Sequence, residues 1–574
     1  MTNTKTFRVF VSSTFSDLKA ERNALQKDVF PRLRELCQKH ECRFQAIDLR
    51  WGISEEAALD QQTMNICIEE LRQCQRITPR PNFIVLLGQR YGWCPLPPQI
   101  DAVEFETLLN ALPISAQQHL RQWYIRDNNA VPADYCLQPR SGIYEEIKNW
   151  TVEEQTLGAL LHQAIHSVGW ALDDPRRLKY EASATHQEIF HGALQVKDCN
   201  EHVFGFFRII EGIDQDDMTG EYFDLDSQGR PDQEARERLN KLQKEIWARL
   251  PGNIKMYPTA WIDNGLSVCH ITQLCDDVYN RLRDVIEAEV KLWKLSDPVD
   301  HEALAHKMFG KALAQVFVGR QKILQSIQQY LDGQLLNPLV VHGVSGSGKS
   351  ALMAKIVANY ELRATHHEVI VRYIGTTPSS TDARSLLEGL CKEITLRYDG
   401  DISTIPVDYK QLVLELPNRL ALATAERPIL VILDSLDQLS ETDNGRDFSW
   451  LPVRLDKHVK MIVTTLPGEC LQMLEQQMDS SLSSRTTETT IVSGTIAQQF
   501  IEVVPMDNEE GEVLLDEWLK TAGRIMEPWE HPEIEPDFQG ERRAGRTLTP
   551  EQRNEILTNF ASCSYPLYLK MGHW

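Results

Sequence analysis

A glycine-rich loop that ends in lysine and serine is the strongest chemical signal in this sequence. It follows the pattern G-x-x-x-x-G-K-[ST] and reads Gly343-Val344-Ser345-Gly346-Ser347-Gly348-Lys349-Ser350. Glycines at this spacing let successive backbone N–H groups turn towards phosphate oxygens at the start of a helix. The lysine side chain then reaches the β- and γ-phosphates, and the serine hydroxyl helps to hold Mg²⁺. The loop therefore predicts a binding site for a nucleoside triphosphate and Mg²⁺.

The residues on either side of this phosphate loop supply the elements that the motif requires. The apolar run Pro338-Leu339-Val340-Val341 predicts a strand before the loop, and residues 351–357 predict a helix after it. A glycine- and serine-rich turn with a chance lysine is the alternative interpretation. The strand–loop–helix context argues against that alternative.

Two aspartates near a second apolar run are candidates for metal binding and catalysis. The run Ile429-Leu430-Val431-Ile432-Leu433-Asp434 predicts a buried parallel strand that carries Asp434 at its C-terminal end. Because α/β sheets bind ligands at that end, we expect Asp434 to contact the Mg²⁺ shell; a helix N-cap is the alternative role. We expect Asp437 to position the attacking water or to contact the metal indirectly. A solvated carboxylate in a first helical turn is the alternative there.

Overall composition restricts the class of protein. A chain of 574 residues holds several domains. Its formal net charge of −22 argues against general binding to duplex DNA or anionic membranes, which both need a basic face. The twelve cysteines include no C-x-x-C pair, as expected for free thiols in a reducing compartment. With no apolar signal segment and no apolar stretch of membrane-spanning length, we expect a cytosolic protein that does not bind nucleic acid.

The first half of the chain alternates strands with helices. Apolar runs predict strands at residues 7–11, 43–49, 82–87 and 202–207. Helical periodicity occurs at residues 18–36, 64–75, 185–194 and 278–294, and Thr14-Phe15-Ser16-Asp17 matches a capping box before the first helix. This alternation predicts a parallel sheet of the flavodoxin or Rossmann type.

Polar residues near the ends of these predicted strands form a second candidate site. Since the carboxyl ends of parallel strands meet at one edge, we expect these residues near a single crevice: Ser12, Ser13, Asp48, Arg50, Trp51, Arg90 and Glu188. One interpretation is a ligand or nucleotide-like pocket, for instance a site that cleaves a glycosidic bond with a glutamate. The alternative is a set of buried polar residues that satisfy loop backbones, with Trp51 and Trp93 filling the core.

Several segments around the phosphate loop resemble STAND-class NTPases. Phe317-Val318-Gly319-Arg320 precedes a helix ahead of the loop, and in this class such a segment lies against the adenine. Residues 368–375 resemble the next strand, and residues 460–467 occupy the place of the sensor strand. Ser564-Tyr565-Pro566-Leu567-Tyr568-Leu569 resembles the proline-bearing element of a helical lid that touches the nucleotide.

The N-terminal half resembles animal NACHT-and-WD-repeat proteins and the related vault-associated telomerase component. The strings that carry this resemblance are VFVSSTFSDLKAERNAL, AIDLRWGI, LLGQRYGW, WYIRDNNAVP and SATHQEI. The resemblance extends over residues 7–569 and implies an α/β protein of three parts. These are an N-terminal flavodoxin/TIR-like parallel-sheet domain with insertions (1–295), a NACHT P-loop NTPase domain (296–495) and a short helical lid (496–574).

The same resemblance implies a signalling switch that rests with ADP, exchanges it for ATP and then self-associates as a scaffold. By resemblance, Lys349 and Ser350 bind phosphate and metal, Asp434 binds Mg²⁺, Thr465 senses the γ-phosphate and Pro566 contacts the nucleotide from the lid. Gln438 follows Asp437 where many NACHT proteins have another acid, and the sensor strand lacks an arginine. The missing arginine counts against γ-phosphate sensing by this strand, and the replacement of an acid by Gln438 leads us to expect slow ATP hydrolysis.

Two other functions are alternatives to the signalling switch. The N-terminal domain is alternatively a TIR-like NAD-consuming effector that the NTPase regulates. The whole chain is alternatively a nucleotide-binding interaction module that does not hydrolyse ATP. Because neither a winged helix nor WD repeats follow the lid element, we expect a shortened relative with an incomplete receptor function.

Overall fold

A computed structural model describes residues 5–49, 59–213, 218–226, 228–262, 265–295, 298–363, 367–483, 499–537 and 540–572. These residues form two compact units. The N-terminal unit extends to Trp293 and includes Met526–Ile534, whereas the C-terminal unit comprises Lys294–Ile525 and the residues from Glu535 onwards. Each unit contains a parallel sheet with its own hydrophobic core.

The N-terminal unit is built on a six-stranded sheet. The described residues between Thr6 and Leu266 form ten strands, and six of them form that sheet. The ten are β1 (Thr6–Ser12), β2 (Arg43–Ile47), β3 (Phe83–Leu87), β4 (Gln99–Asp101), β5 (Tyr124–Asp127), β6 (Ala130–Val131), β7 (Asp134–Leu137), β8 (Phe204–Glu211), β9 (Ile254–Ile262) and β10 (Gly265–Leu266). The main sheet has the order β10-β9-β8-β3-β1-β2, and its pairs are parallel except for β9 with β10. Its five parallel strands have the 2-1-3-4-5 order of flavodoxin-like folds, which confirms the predicted sheet type.

Helices cover both faces of this sheet. The helices of the N-terminal unit are α1 (Lys19–Ala24), α2 (Phe30–Lys39), α3 (Thr63–Ile77), α4 (Ala102–Asn110), α5 (Ile114–Trp123), α6 (Ile147–Val168), α7 (Leu178–Glu181), α8 (Ala184–Ile189), α9 (Gln233–Arg249) and α10 (Ile271–Leu295). Strand β3 is apolar at every position and buried throughout, as expected for a central strand with helices on both sides. Its residues Ile84 and Leu86 pack towards α2 and α10, whereas Phe83, Val85 and Leu87 pack towards α3, α8 and α9.

The first predicted helix differs from the observed structure. It begins at Lys19 and is interrupted by a π-helical turn at Leu25–Val29 before α2. The predicted capping box is wrong, because Leu18 occupies the N-cap position and no side chain caps the helix. Thr14 instead donates its hydroxyl hydrogen to the buried carboxylate of Asp17, which also contacts Arg208. A tertiary ion pair has therefore replaced the local cap.

The C-terminal unit contains a five-stranded sheet in which the strands are parallel. Its strands are β11 (Leu339–His342), β12 (Glu368–Tyr373), β13 (Ile429–Asp434), β14 (Val459–Thr465) and β15 (Phe500–Glu502), in the order β12-β13-β14-β11-β15. The register pairs His342 with Thr465, and Leu433 with Val463. The residues that follow β11, β13 and β14 therefore meet at one edge of the sheet.

The helices of the C-terminal unit lie around this sheet and in a small group near the C-terminus. They are α11 (Pro298–Ala314), α12 (Gln321–Asp332), α13 (Lys349–Arg363), α14 (Ala383–Arg397), α15 (Tyr409–Leu420), α16 (Glu469–Ser483), α17 (Asn508–Leu519), α18 (Pro550–Cys563) and α19 (Pro566–Gly572). Met506, Leu514, Phe560 and Leu569 form the core of α17, α18 and α19. Within the described ranges, every helix is too short or too polar to cross a lipid bilayer.

The close approach of Gly192 to Phe83 allows a test of the packing against the central strand β3. A Cβ atom at this position would lie 2.6 Å from two atoms of the buried Phe83 ring. We expect Gly192→Ala to destabilise the N-terminal unit by about 1–3 kcal/mol, because the core cannot accommodate another carbon atom there. Gly158, inside α6, has open space around a Cβ, so Gly158→Ala is the matched control and should stabilise by about 0.5–1 kcal/mol. Scanning calorimetry of both variants measures the difference, and an unchanged transition for Gly192→Ala contradicts the packing.

Candidate functional site

The phosphate loop adopts a conformation that only glycine enters freely. Gly346 and Gly348 have φ angles of +80° and +94°, and α13 begins directly after them at Lys349. Positive φ angles turn the backbone N–H groups of the loop inwards, ahead of the positive end of the helix dipole. The loop and helix together form an anion-binding cradle.

Lys349 lies across this cradle. Its Nζ donates hydrogen bonds to the carbonyl oxygens of Gly343 at 2.8 Å and Val344 at 3.1 Å. Burial lowers the pKa of the ammonium group, whereas the nearby carboxylates of Asp437 and Asp434 act in the opposite direction. The lysine is thus held at the loop by weak carbonyl acceptors that a phosphate oxygen can replace.

Asp434 and Ser350 come together although they are far apart in sequence. Asp434 is 2% exposed at the end of β13, and its Oδ1 accepts a hydrogen bond from the Thr464 hydroxyl at 2.7 Å. Burial raises the pKa of this carboxyl group, and hydrogen bonds from Ser350, Thr464 and Ser435 oppose the rise. A hydroxyl and a carboxylate side by side are the oxygen ligands that Mg²⁺ takes from a protein in such sites. The structure therefore brings the two predicted metal-binding residues together.

Asp437 and Thr465 complete the edge of the site. The Asp437 carboxylate accepts hydrogen bonds from Leu466 N–H at 3.1 Å and from Gln438 Nε2 at 2.7 Å. It therefore links the turn after β13 to the end of β14. Thr465 is fully buried opposite His342, and within the described residues its Oγ1 has no hydrogen-bond partner.

Arg320, which precedes the phosphate loop in sequence, contacts the backbone of the loop at Ser347. It lies just before α12 with a φ angle of +60°. Its guanidinium group donates to the carbonyl oxygens of Ser347, at 3.1 Å, and Val504. Its backbone N–H donates to Glu510 Oε1 at 2.7 Å. The sequence interpretation missed Glu510: an acid three residues after the N-cap Asp507 suggests a capping box, but here its carboxylate binds the Arg320 backbone.

The last helix of the chain contacts the phosphate loop directly. A Cβ built on Gly346 would lie 3.0 Å from Leu567 Cβ, and one built on Gly348 would lie 3.6 Å from Pro566 Cγ. The carbonyl oxygen of Ser564 accepts a hydrogen bond from the N–H of Met506 at 2.9 Å, which connects the start of α19 to the segment before α17. Pro566 thus lies against the loop backbone, in the place where a lid element was expected.

The polar residues predicted at the edge of the N-terminal sheet form two groups. Ser12 donates to Glu188 Oε2 at 2.6 Å, and burial raises the pKa of Glu188 to about 7. Arg22 connects Asp48 with Ser13, to whose Oγ it donates at 2.7 Å. These contacts bring Ser12, Ser13, Asp48 and Glu188 into the interior at the ends of β1 and β2.

Other members of that predicted set behave differently. Arg90 pairs with Asp224 at 3.2 Å and also donates to the Ser16 hydroxyl. Arg50 and Trp51 lie outside the described residues. The alternative that Trp93 fills the core is wrong, because its side chain is 45% exposed and its Nε1 donates to Glu154 at 3.1 Å.

The N-terminal unit also contains a network of buried charged residues that the sequence did not predict. Arg208 is 1% exposed and contacts Asp17 and Glu21, at 3.3 and 3.2 Å, and Glu21 also accepts a hydrogen bond from His270. Burial raises the pKa of Asp17 to about 6, and Arg208 opposes that rise. The sequence offered little signal for this network, because Arg208 lies beyond the predicted strand at residues 202–207 and its partners are distant in sequence.

Two family descriptions match parts of the chain. Residues 8–112 match a domain of unknown function, DUF4062. Residues 316–463 match the AAA ATPase domain, and this range includes the phosphate loop, Asp434 and most of β14. The C-terminal unit therefore contains a P-loop ATPase domain.

Curated relatives match most of the chain. Mouse NACHT and WD repeat domain-containing protein 2 is 29% identical over 99% of this chain and 34% of its own length. Mouse NACHT domain- and WD repeat-containing protein 1 is 29% identical over 85% of this chain and 32% of its own length. Rat telomerase protein component 1 is 23% identical over 83% of this chain and 16% of its own length. The chain thus spans about a third of the length of the first two relatives.

Among solved structures, the Aeropyrum pernix ORC1 protein in complex with DNA matches 47% of this chain and 62% of its own chain. Its identity is 14% and its TM-score is 0.29, too low to support any further argument. The sequence relatives and the ATPase domain are the informative matches. The chain is a homologue of the NACHT and WD repeat domain-containing proteins, with a P-loop ATPase domain in its C-terminal unit.

Proposed function

We propose that the C-terminal unit is an ATP-dependent switch that hydrolyses ATP slowly and controls self-association of a signalling scaffold. The observation that carries this proposal is the contact of Pro566 and Leu567 with the glycines of the phosphate loop. An element packed on the nucleotide-binding backbone is sensitive to what the loop binds. The ATPase match and the NACHT homologues support a switch-like role.

The residues at the site fit a bound nucleotide. Ser347 Oγ and Thr465 Oγ1 are both buried, and neither has a hydrogen-bond partner in the described part of the chain. Unsatisfied buried hydroxyls cost free energy, so a polar ligand that reaches them stabilises the site. Lys349 exchanges its two carbonyl acceptors for phosphate oxygens, which accept more strongly because they are charged.

The residues also fit a magnesium ion. Ser350 and Asp434 would hold it, in agreement with the oxygen ligands that this ion prefers. When bound, Mg²⁺ neutralises charge on the phosphates. Thr464 donates to Oδ1 of Asp434 at 2.7 Å and Ser435 donates to Oδ2 at 3.2 Å, so the carboxylate is held in a fixed orientation next to Ser350.

Slow hydrolysis follows from Asp437 and its neighbour Gln438. Activation of water requires a carboxylate oxygen free to accept its proton or orient it. Both oxygens of Asp437 already accept hydrogen bonds, from Leu466 and Gln438. Each oxygen keeps a further lone pair that can orient a water molecule, but Gln438, which stands where many NACHT proteins have another acid, supplies no second base, so we infer slow turnover. We infer that Thr465 senses the γ-phosphate, because its buried side chain lies at the end of β14 opposite His342, the residue before the phosphate loop.

The lid supplies the two-state element that a switch needs. Arg320 is hydrogen-bonded to Ser347 in the phosphate loop and, through its backbone, to Glu510 in α17. A γ-phosphate that shifts the loop changes these contacts and biases the lid, and its loss on hydrolysis reverses the bias. Opening of α17–α19 then uncovers a surface for self-association.

Lys349→Ala tests nucleotide binding. The variant loses a charged hydrogen-bond donor to phosphate, so we expect the affinity for ATP to fall by about tenfold to a hundredfold. Lys355→Ala, further along the same helix, is the matched control and should bind ATP normally. Titration calorimetry with MgATP measures both. Normal affinity in Lys349→Ala contradicts the assignment of the phosphate loop.

Asp434→Asn tests the magnesium site. Asparagine keeps an oxygen that accepts from Thr464 but removes the charge that attracts the cation. We expect wild-type protein to bind ATP more tightly with Mg²⁺ than with EDTA, and we expect this difference to shrink by about tenfold in the variant. An unchanged response to Mg²⁺ excludes Asp434 as a metal ligand.

Glu510→Ala tests the coupling of the lid to the nucleotide. Removing the acceptor of the Arg320 N–H weakens the closed arrangement, so we expect fluorescently labelled ADP to dissociate about tenfold faster. Light scattering should also detect more self-association in ATP. Glu509→Ala is the control, because Glu509 is its exposed neighbour in the same helical turn. If ADP release is unchanged in Glu510→Ala while Lys349→Ala still loses ATP binding, the C-terminal unit is a nucleotide-binding module without a lid switch.

A further inference from the structure

A cavity of about 590 Å³ opens in the N-terminal unit, separate from the ATPase domain. Its walls are mainly apolar and include Phe15, Leu49, Met64, Trp93 and Trp150. Pockets of roughly 300–1,000 Å³ with apolar walls and a few polar groups typically bind small molecules. The size and lining of this cavity therefore correspond to a small-molecule site.

The cavity lies at the edge of the sheet where this fold class binds ligands. Phe15 follows β1, Leu49 follows β2 and Trp93 follows β3. In the 2-1-3-4-5 order, the crevice opens outside the carboxyl ends of the strands where the order reverses, at β1 and β3. The cavity also adjoins the buried polar edge described above, because the Phe15 ring lies 5.1 Å from the Arg22 guanidinium.

Two aromatic side chains are unusually exposed within this concave surface. Phe15 and Trp93 are 52% and 45% exposed, whereas Trp150 is 3% exposed and closes the interior side. The Trp93 indole is oriented by a hydrogen bond from Nε1 to Glu154 Oε2 at 3.1 Å. A fixed aromatic face that is open to a cavity favours stacking with a flat ring.

Polar groups with unused hydrogen-bonding capacity line the same cavity. Arg140 Nε and Gln61 Nε2 are buried, and the described residues provide no hydrogen-bond partner for either atom. Gln61 also has a φ angle of +59°, a strained conformation for a residue other than glycine. Burial raises the pKa of Glu154 to about 7, against the effects of Trp93 and Arg140. Glu154 therefore lines the cavity with a carboxyl group, and the cavity wall contains two buried donors without a partner in the described residues.

We propose that this cavity binds a planar nitrogen heterocycle, the chemical class of purines, pyrimidines and pyridines. The ring stacks on Trp93 and directs an N–H edge towards Glu154. An acceptor atom on another edge is directed towards the part of the wall that Arg140 and Gln61 form, and either side chain turns a donor towards it. A hydrocarbon ligand would leave the carboxyl group of Glu154 and the donors in the cavity wall unused. The site is independent of the phosphate loop, because all of its residues belong to the N-terminal unit.

The test uses the full chain carrying Lys349→Ala and three probes without phosphate: adenosine, cytidine and nicotinamide. Saturation-transfer NMR should detect contact with the ring protons of at least one probe. Trp93→Ala should weaken binding of that probe by about tenfold, since one stacked ring is lost. Trp247→Ala is the matched control, because Trp247 is 50% exposed on α9 and does not line the cavity, so it should leave binding unchanged.

A second variant separates loss of the site from loss of folding. Glu154→Gln keeps the size of the side chain and its bond to Trp93 but places an amide where the carboxyl group accepts from the ligand. It should weaken binding of the same probe while the thermal unfolding temperature stays at the wild-type value. Absence of saturation transfer from all three probes overturns the proposal. Transfer that persists unchanged in both Trp93→Ala and Glu154→Gln overturns it as well.

Discussion

Parallel pairing of β11 with β14 is the constraint on which the nucleotide site depends. This pairing sets His342, the residue before the phosphate loop, opposite Thr465. The next pairing, β14 with β13, brings Thr464 within hydrogen-bonding distance of Asp434. Because side chains alternate along a strand, a shift of one residue would turn Thr464 away from Asp434. The loop, the acid and the threonine belong to one site only in this register.

Buried charged side chains are a second feature that both units share. Charged groups inside a protein are costly unless other groups hydrogen-bond to them. Lys349 meets this requirement with two backbone carbonyl oxygens of its own loop. In the N-terminal unit, Arg22 and Arg208 are each 1% exposed and are held by acids. Among the buried side-chain atoms that lack a hydrogen-bond partner in the described residues, Ser347 Oγ and Thr465 Oγ1 lie at the phosphate loop and at the adjoining end of β14, where a ligand is expected.

Apolar runs in the sequence predicted β1, β2, β3, β8, β11 and β13, because their local pattern is strong, whereas β9, β10 and β15 were not predicted. The apolar runs that became β3 and β13 are buried at every position, and their type follows from composition alone. Local rules failed where a tertiary contact competed with them. Thr14 and Asp17 match a capping box, yet Asp17 pairs with Arg208 from β8. Trp93 looks like a core residue, yet its indole borders a cavity and bonds to Glu154.

The sequence by itself determined the phosphate loop, its strand and helix, and the acid that ends β13, because each has a local pattern with a known chemical purpose. It did not reveal Glu510, Arg208 or the cavity beside Trp93, because these depend on side chains that meet across long sequence separations. Only the tertiary structure decided the strand order, the register and which buried atoms find partners. The physical reason is that strand pairing and side-chain contacts depend on the three-dimensional path of the chain, whereas loop and strand types depend on neighbouring residues.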